Sequence, residues 1–175
     1  MRISTKGGDF GKTKLVFLRE VSKASARVCA YGAVDEFSAT LGFARAFATG
    51  ELNAKILHIQ ERLVFLMTEL ATAKDDFPKL AERKIKTLDE PDLAEIETQI
   101  EQYEKIGNIF DGWTHSGENT LQAALDMARA RCRTAEREIV KLAESEGLAR
   151  NFPLQYINRL ADLLYLMSQA AAKTK

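Results

Sequence analysis

A run of arginines in the second half of the chain carries the clearest chemistry. Arg129, Arg133, Glu136 and Arg137 stand three or four positions apart, and residues at that spacing lie side by side on a helix. A guanidinium group donates paired hydrogen bonds that match phosphate oxygens. The spacing therefore predicts an anion-binding strip on one helix. The alternative is an ordinary solvent-exposed face, in which Arg133, Glu136 and Arg137 pair with one another.

Glycine, threonine and lysine dominate residues 5–13, near the start of the chain. Glycines let backbone N–H groups turn toward one point, and hydroxyl and ammonium groups add donors, as phosphate binding requires. Residues 11–13 resemble the end of a Walker A loop, but the first glycine of that motif would fall at Lys6, and no buried strand precedes it. Residues 1–24 are predicted to be a non-helical, phosphate-binding arm. The alternative is a flexible glycine-rich tail.

Several further polar groups stand beside predicted apolar helix faces. Asp35 interrupts such a face, so it needs either a nearby cation or solvent. Asn158, Asp162 and Tyr165 form a polar strip on the last predicted helix. The amide of Asn158 requires partners, which can be another helix or an adenine or ribose edge.

Aromatic residues mark a predicted loop at residues 107–117. It contains Phe110, the single tryptophan Trp113, and His115. Exposed aromatic side chains between long helices suggest a binding surface. The alternative is a loop whose aromatic residues only anchor it to the helices.

The composition argues against several classes of function. Lys and Arg number 25, as do Asp and Glu, so no overall basic field attracts nucleic acid. No apolar run approaches the roughly 20 residues of a membrane span, and no signal-peptide pattern begins the chain. Cys29 and Cys132 fall on predicted apolar stripes, which suggests two small core residues in a reducing compartment. We expect one soluble, cytoplasmic domain without nucleic acid or membrane partners.

The two histidines do not suggest a catalytic site. Neither His58 nor His115 has a glutamate three positions earlier, as a helical di-iron site requires. His115 also lacks an evident serine or cysteine partner for hydrolysis. A helical scaffold without chemistry is a further alternative, although it does not explain why the arm and the arginine strip occur together.

Periodic apolar positions predict five helices and no strands. The predicted helices run from near Ser25 to about Gly50, from Glu51 to Lys74, from Asp89 onward, from about 118 to 147, and from a cap at Asn151 onward. Residues 75–78 end the second helix, and residues 79–88 form a basic connector. Short connections of this kind favour an all-α five-helix bundle over residues 25–175.

Four segments together resemble the PduO-type ATP:cob(I)alamin adenosyltransferases along nearly the whole chain. Their order and spacing make the resemblance specific. The segments are the arm (Thr5, Lys6, Gly8, Asp9, Gly11 and Thr13, followed by Lys23), residues 30–37 with 41–45, the arginine-rich residues 128–137, and residues 156–164.

This resemblance implies a homotrimer of ferritin-like up-down bundles with an active site between subunits. The triphosphate of ATP would lie against the arm, Lys23, Arg133 and Arg137, and Asn158 would contact the nucleotide. The implied ATP-binding residues are Thr5, Lys6, Gly7, Gly8, Asp9, Gly11, Lys12, Thr13, Lys23, Arg133, Arg137 and Asn158. Mg²⁺ would be held mainly by the triphosphate and water, so no metal-ligating residue is expected.

The resemblance also implies the reaction and its participants. Cobalt(I) of cobalamin would attack the 5′-carbon of ATP, releasing triphosphate. Asp35 would pair with Arg129 across the subunit boundary, and Glu136 would orient the arginines or the Mg²⁺ shell. Trp113 or Phe110 would cover the lower face of the corrin ring. A cobalamin reductase and an adenosylcobalamin-dependent enzyme are the implied partners. A non-catalytic bundle that carries the corrinoid or nucleotide is the alternative.

The sequence departs from the family pattern in three places. Gly7 and Lys12 replace threonines, and Phe10 is bulkier than usual. Thr134 replaces a frequent second arginine, and residues 113–118 replace an aromatic residue followed by a Pro-Gly-Gly turn. These changes affect the expected corrinoid preference and efficiency more than the fold.

Overall fold

The computed structural model describes residues 8–106 and 114–173. The predicted contacts of Thr5, Lys6, Gly7, Phe110 and Trp113 lie outside these residues. In chain order the elements are β1 (Lys12–Lys14), β2 (Glu20–Ser22), α1 (Ala26–Arg45), α2 (Gly50–Leu70), a 3-10 turn (Lys74–Asp76), α3 (Pro78–Glu82), α4 (Glu90–Lys105), α5 (Thr120–Ser145) and α6 (Phe152–Lys173).

The five predicted long helices are confirmed, and local sequence features explain where they begin and end. The Ser25 hydroxyl accepts a hydrogen bond from the Val28 N–H and starts α1. Asp89 and Asp92 form a reciprocal capping box at the start of α4. Gly147, with φ of +77°, follows the end of α5, where its N–H bonds to the Leu142 carbonyl. The first two helices end earlier than predicted, at Arg45 and Leu70.

The prediction of no strands is wrong, and residues 79–88, predicted as a basic connector, begin within a short helix. β1 and β2 form an antiparallel hairpin in which Thr13 faces Val21. Each strand has only three residues, so no apolar alternation can show in the sequence. Helix α3 occupies the start of the connector. It has five residues, fewer than two helical turns, and so no periodic pattern reveals it.

The long helices pack around one apolar core. α1 lies between α2 and α5, and α6 lies between α5 and α4. Asn119 at the start of α5 donates to the Ala171 carbonyl near the end of α6, so these two helices are antiparallel. Arg27 is 4% exposed and donates to the Leu70 and Thr72 carbonyls and to Glu146, which ties the start of α1 to the ends of α2 and α5.

The two cysteines have different environments. Cys132 is fully buried, as predicted, and burial raises the pKa of its thiol. The prediction that Cys29 is a core residue is wrong, because its side chain is exposed. The buried stripe of α1 passes instead through Ala30, Val34 and Phe37, one position away from Cys29. The buried environment of Cys132 therefore disfavours a thiolate nucleophile.

Candidate functional site

A cavity of about 410 Å³ opens between α4, α5 and α6. Its polar lining comes from all three helices. Glu104 is on α4, Arg129 and Arg133 are on α5, and Arg159, Asp162 and Tyr165 are on α6. Two members of the predicted arginine strip therefore face one cavity, together with two members of the polar strip predicted on the last helix.

Packing of α5 against the core sets the direction of its arginines. Ala128, Cys132, Ala135 and Ile139 are fully buried, and Arg129 and Arg133 follow one position after two of them. This places both guanidinium groups at the edge of the core. Helix geometry alone thus brings two cations to the same cavity.

Each cavity arginine on α5 is held by a carboxylate of its own helix. The Nε of Arg129 donates to Asp126 at 2.8 Å, and an Nη of Arg133 donates to Glu136 at 2.9 Å. The Arg129 and Arg133 side chains are 33% and 45% exposed, so both remain accessible from the cavity. The Arg133–Glu136 contact is expected both for an orienting role of Glu136 and for a solvent-exposed face, so the orienting role stays a prediction.

Arg137 lies further along the same helix and is exposed. Its guanidinium group donates to the hydroxyl of Thr134 at 3.0 Å. It is not among the residues that line the cavity. Within one chain, Arg137 therefore lies outside the cavity that Arg129 and Arg133 line.

The predicted arm folds back on itself before the first helix. Gly11 adopts a φ of +72°, its N–H bonds to the Gly8 carbonyl at 3.2 Å, and its carbonyl accepts the Lys23 N–H at 2.8 Å. A methyl group on Gly8 would come within 2.7 Å of the Lys23 ammonium. The Lys23 side chain therefore lies against the backbone of Gly8, which brings together two residues predicted to bind phosphate.

Three further arm residues that the structure describes and that are predicted to bind ATP differ in their exposure to solvent. Asp9 and Lys12 are exposed, and Thr13 is half-buried. Lys12 pairs with Glu20 across the hairpin at 2.7 Å. This hydrogen bond raises the pKa of Lys12 and lowers the pKa of Glu20. A phosphate that binds Lys12 must therefore compete with Glu20.

The arm is anchored to the end of its own bundle. The Val16 N–H donates to the Ala71 carbonyl at 3.1 Å, directly after α2. Asp76 accepts from Arg19 at 3.1 Å and from Lys79 at 2.7 Å. In the ranges 8–106 and 114–173, no hydrogen bond or ion pair joins residues 8–24 to α5. Within one chain, then, the part of the arm that the structure describes makes no such contact with the arginines of α5.

Asp35 is exposed on α1. Arg129 takes its carboxylate partner, Asp126, from its own helix. The contact from α5 to this part of α1 is instead the Arg131–Glu36 pair, at 3.3 Å. The predicted pairing of Asp35 with Arg129 concerns a second subunit and stays a prediction.

A second cavity, of about 330 Å³, lies between α4 and α6. Asn158, Glu97 and Arg159 contribute to its lining, and Arg159 also borders the first cavity. Asn158 therefore lines only the second cavity, and the next residue, Arg159, lines both. The partner predicted for the Asn158 amide, another helix or an adenine or ribose edge, stays a prediction.

The sequence interpretation missed three polar residues around the arginine cavity. Asp126 was detectable, because it precedes Arg129 by three positions and such residues are neighbours on a helix. Glu104 is on α4, and the sequence does not determine how this helix is rotated about its own axis relative to α5 and α6. Arg159 lies within a segment that resembles the family, but the direction of its side chain depends on how α4 and α6 pack.

Two features are absent from residues 8–106 and 114–173. Within them, no group of three or more histidine, cysteine, aspartate or glutamate side chains is arranged to hold a metal ion. Among the helices of that same portion, none combines the length and apolar content of a transmembrane span.

The fold and the cavity define a class: an α-helical bundle with a cluster of arginines suited to an anionic ligand. A family model described as cobalamin adenosyltransferase matches residues 3–171. The chain belongs to this family.

Named relatives and solved structures agree with this assignment. A corrinoid adenosyltransferase of Bacillus subtilis is 34% identical over 170 residues, covering 94% of this chain and 83% of the relative. Corrinoid adenosyltransferase PduO of Salmonella typhimurium is 33% identical over 171 residues, covering 97% of this chain and 49% of the relative. The chain thus spans about half the length of the Salmonella protein.

The structural neighbours include a variant PduO-type ATP:corrinoid adenosyltransferase from Lactobacillus reuteri, complexed with cobalamin and ATP. The TM-score is 0.88 at 31% identity, covering 98% of this chain and 91% of that one. A second variant from the same organism, complexed with ATP, has a TM-score of 0.86 at 30% identity, covering 98% and 94%.

Proposed function

We propose that this protein transfers the 5′-deoxyadenosyl group of ATP to cobalt(I) of cobalamin or a related corrinoid. Membership of the cobalamin adenosyltransferase family supports this activity. So do the names of the relatives and the cobalamin and ATP bound to a structural neighbour. The observation that carries the proposal is the shared cavity of Arg129 and Arg133.

The proposed reaction is a displacement at carbon. The electron pair of cobalt(I) forms the cobalt–carbon bond to C5′, and the C5′–oxygen bond breaks. The bonding electrons leave with the oxygen of triphosphate. No protein nucleophile is needed, since the corrinoid supplies it. The tasks left to the protein are positioning and stabilisation of the departing polyanion by fixed cations.

The proposed roles follow the charges of the residues. Arg133, Arg137 and Lys23 bind the triphosphate, and the backbone and side chains of the arm surround it. The ATP-binding role of Thr5, Lys6, Gly7, Gly8, Asp9, Gly11, Lys12 and Thr13 belongs to this proposal, as does that of Asn158. Glu136 orients Arg133, with which it shares a 2.9 Å hydrogen bond.

We further propose that the active site is assembled between subunits of a homotrimer. The arm is fixed at the end of the bundle beside α2, whereas Arg129 and Arg133 are in the middle of α5. A neighbouring copy could bring its arm to these arginines, and Asp35 of one subunit would pair with Arg129 of the next. Closed rings with such heterologous contacts are an ordinary form of symmetry.

The remaining participants are proposed on chemical grounds. Mg²⁺ would arrive with ATP and be held by phosphate oxygens and water, which are the ligands it prefers. Trp113 or Phe110 would cover the lower face of the corrin. A reducing cytoplasm would suit a cobalt(I) substrate, a cobalamin reductase would supply it, and an adenosylcobalamin-dependent enzyme would consume the product.

Replacement of Arg133 by alanine tests the proposed function. We expect turnover to fall by about 10²- to 10³-fold, because a fixed donor to the developing charge is lost. The measurement follows the absorbance of light-sensitive adenosylcobalamin in a mixture of protein, ATP, Mg²⁺ and chemically reduced cobalamin. Circular dichroism checks that the helices remain.

Arg131→Ala is the matched control. Arg131 is on the same helix and is similarly exposed, but it pairs with Glu36 on α1 and does not line the cavity. Full activity of the Arg133 variant would contradict the proposed function. Binding of ATP and cobalamin by the wild-type protein without turnover would favour the alternative, a carrier of the cofactor.

A further inference from the structure

Arg159 differs from Arg129 and Arg133, the other two arginines of the first cavity, in the residue that holds its side chain. Arg129 and Arg133 bond to carboxylates on their own helix, at 2.8 and 2.9 Å. Arg159, on α6, reaches across to Glu97 of α4 over 3.4 Å. Both side chains of this pair are half exposed, at 48% and 50%. Exposed pairs of this kind contribute little free energy, so a ligand can displace Glu97.

The position of Arg159 suits a residue that moves between two partners. Of the residues that the structure describes, Arg159 is the one that borders both cavities, those of about 410 and 330 Å³. The larger cavity is lined by three arginines and two carboxylates, Glu104 and Asp162, and each arginine also bonds to a carboxylate outside this lining. An anion in either cavity would therefore lie next to the Arg159 side chain.

We propose that Arg159 is a further substrate-binding residue, which leaves Glu97 to form a forked contact with a phosphate group. The planar guanidinium matches two phosphate oxygens, and a phosphate carries more charge than the carboxylate it displaces. This inference rests on the proposed function for the identity of the substrates. The phosphate has two chemical sources, the triphosphate of ATP and the phosphodiester in the nucleotide tail of cobalamin.

Binding measurements with three probes distinguish these sources. Isothermal titration of the full chain would use inorganic triphosphate, cobalamin, and cobinamide, which lacks the phosphate-bearing tail. If the triphosphate is the partner, Arg159→Gln weakens triphosphate binding by about 10- to 100-fold, as expected for a charge-assisted hydrogen bond. If the tail is the partner, the same variant weakens cobalamin binding and leaves cobinamide unchanged.

Glu97→Gln gives a prediction of opposite sign. Removing the competing carboxylate should strengthen binding of the same probe by about two- to fivefold, which is the usual range for an exposed pair. The gain should disappear when Glu97→Gln is combined with Arg159→Gln, because Arg159 is the group through which Glu97 acts. A residue with only a structural role would not produce this pattern.

The Arg131–Glu36 pair provides the control. It also joins two helices, over 3.3 Å, with side chains 52% and 67% exposed, but Arg131 is not among the residues that line either cavity. Arg131→Gln and Glu36→Gln should leave all three affinities unchanged. Thermal unfolding and sedimentation confirm that each variant keeps the fold and assembly of the wild type.

Two results would overturn the inference. One is unchanged affinity of Arg159→Gln for all three probes. The other is an equal loss in Arg131→Gln, which would indicate a general effect of surface charge. Because these measurements use binding without turnover, they are separate from the test of the reaction. A wild-type protein that binds phosphate through Arg159 but forms no adenosylcobalamin would refute the proposed function and support this inference.

Discussion

Asp126 determines how much of the Arg129 guanidinium a ligand can use. The carboxylate takes the Nε hydrogen, which leaves the two terminal nitrogens outside this bond. Those nitrogens are the fork that carboxylates and phosphates prefer. Asp126 therefore acts on the site as a positioning residue, since it fixes the plane of a cation that lines the cavity.

Asp126→Asn should lower turnover about fivefold, because an amide keeps the size of the side chain but loses roughly 1 kcal/mol of a half-exposed ion pair. The assay is steady-state formation of adenosylcobalamin. Glu138→Gln is the control, since Glu138 pairs with Lys141 at the same three-residue spacing, away from the cavity residues. Equal turnover of the Asp126 variant and the wild type would show that Arg129 needs no such support.

At the scale of elements, the hairpin is attached to the bundle by a small set of polar contacts. The carboxylate of Asp76 is 9% exposed and accepts from both Lys79 and Arg19. The hydrogen bond from Lys79, followed by that from Arg19, holds the pKa of Asp76 below its usual range. Because the pKa of Asp76 is lowered in the folded protein, its carboxylate stabilises the attached arm at pH values above the ordinary carboxyl pKa of about 3.9.

The arm should therefore stay attached near neutral pH and loosen as the pH falls below about 4 and Asp76 becomes protonated. Hydrogen exchange at the Val16 N–H, which bonds to the Ala71 carbonyl, would report this loosening. In Asp76→Asn the Val16 amide should be less protected from exchange at neutral pH. Its protection should also no longer fall when the solution is acidified. Asp75→Asn, at the exposed neighbouring position, should behave as the wild type. An unchanged exchange rate in Asp76→Asn would show that other contacts hold the hairpin.

Sequence periodicity predicted the long helices well, because each buries a continuous stripe and several carry recognisable caps. Ser25 and Asp89 are examples of such caps. The hairpin and α3 were missed because elements of three and five residues are too short to repeat a pattern. The burial of Cys29 was predicted wrongly because a shift of one position on a helix turns a side chain by about 100°.

At the scale of the whole molecule, the proposed active site needs more than one chain. The sequence indicated that Arg129 and Arg133 share a face, and one chain is enough to place them in a cavity. The predicted contact between the arm and these arginines differs, because it is formed between subunits. It depends on how copies of the chain pack, and neither helix periodicity nor the described contacts of one chain determine that packing.

Mixed assemblies test the proposed trimer. Lys23→Ala impairs the arm, Arg133→Ala impairs the cavity, and each variant alone should have little activity. If the arm of one subunit serves the arginines of the next, equal co-expression should restore about one quarter of the sites in a closed ring. The measurement is activity per trimer after purification, with trimer mass checked by sedimentation. Absence of any recovery would indicate that each site lies within a single chain.

The pairing of Arg129 with Asp126 and of Arg133 with Glu136 has a consequence for the response of this protein to salt. A polyanion that binds here contacts guanidinium groups that already pair with carboxylates of the protein. Its affinity therefore depends on the difference between the guanidinium–ligand attraction and the guanidinium–carboxylate attraction. Mobile ions screen both attractions, so their effects on the affinity partly cancel. Ionic strength should then weaken ligand binding less steeply than the number of arginines suggests, and the cavity should keep its selectivity in concentrated electrolyte.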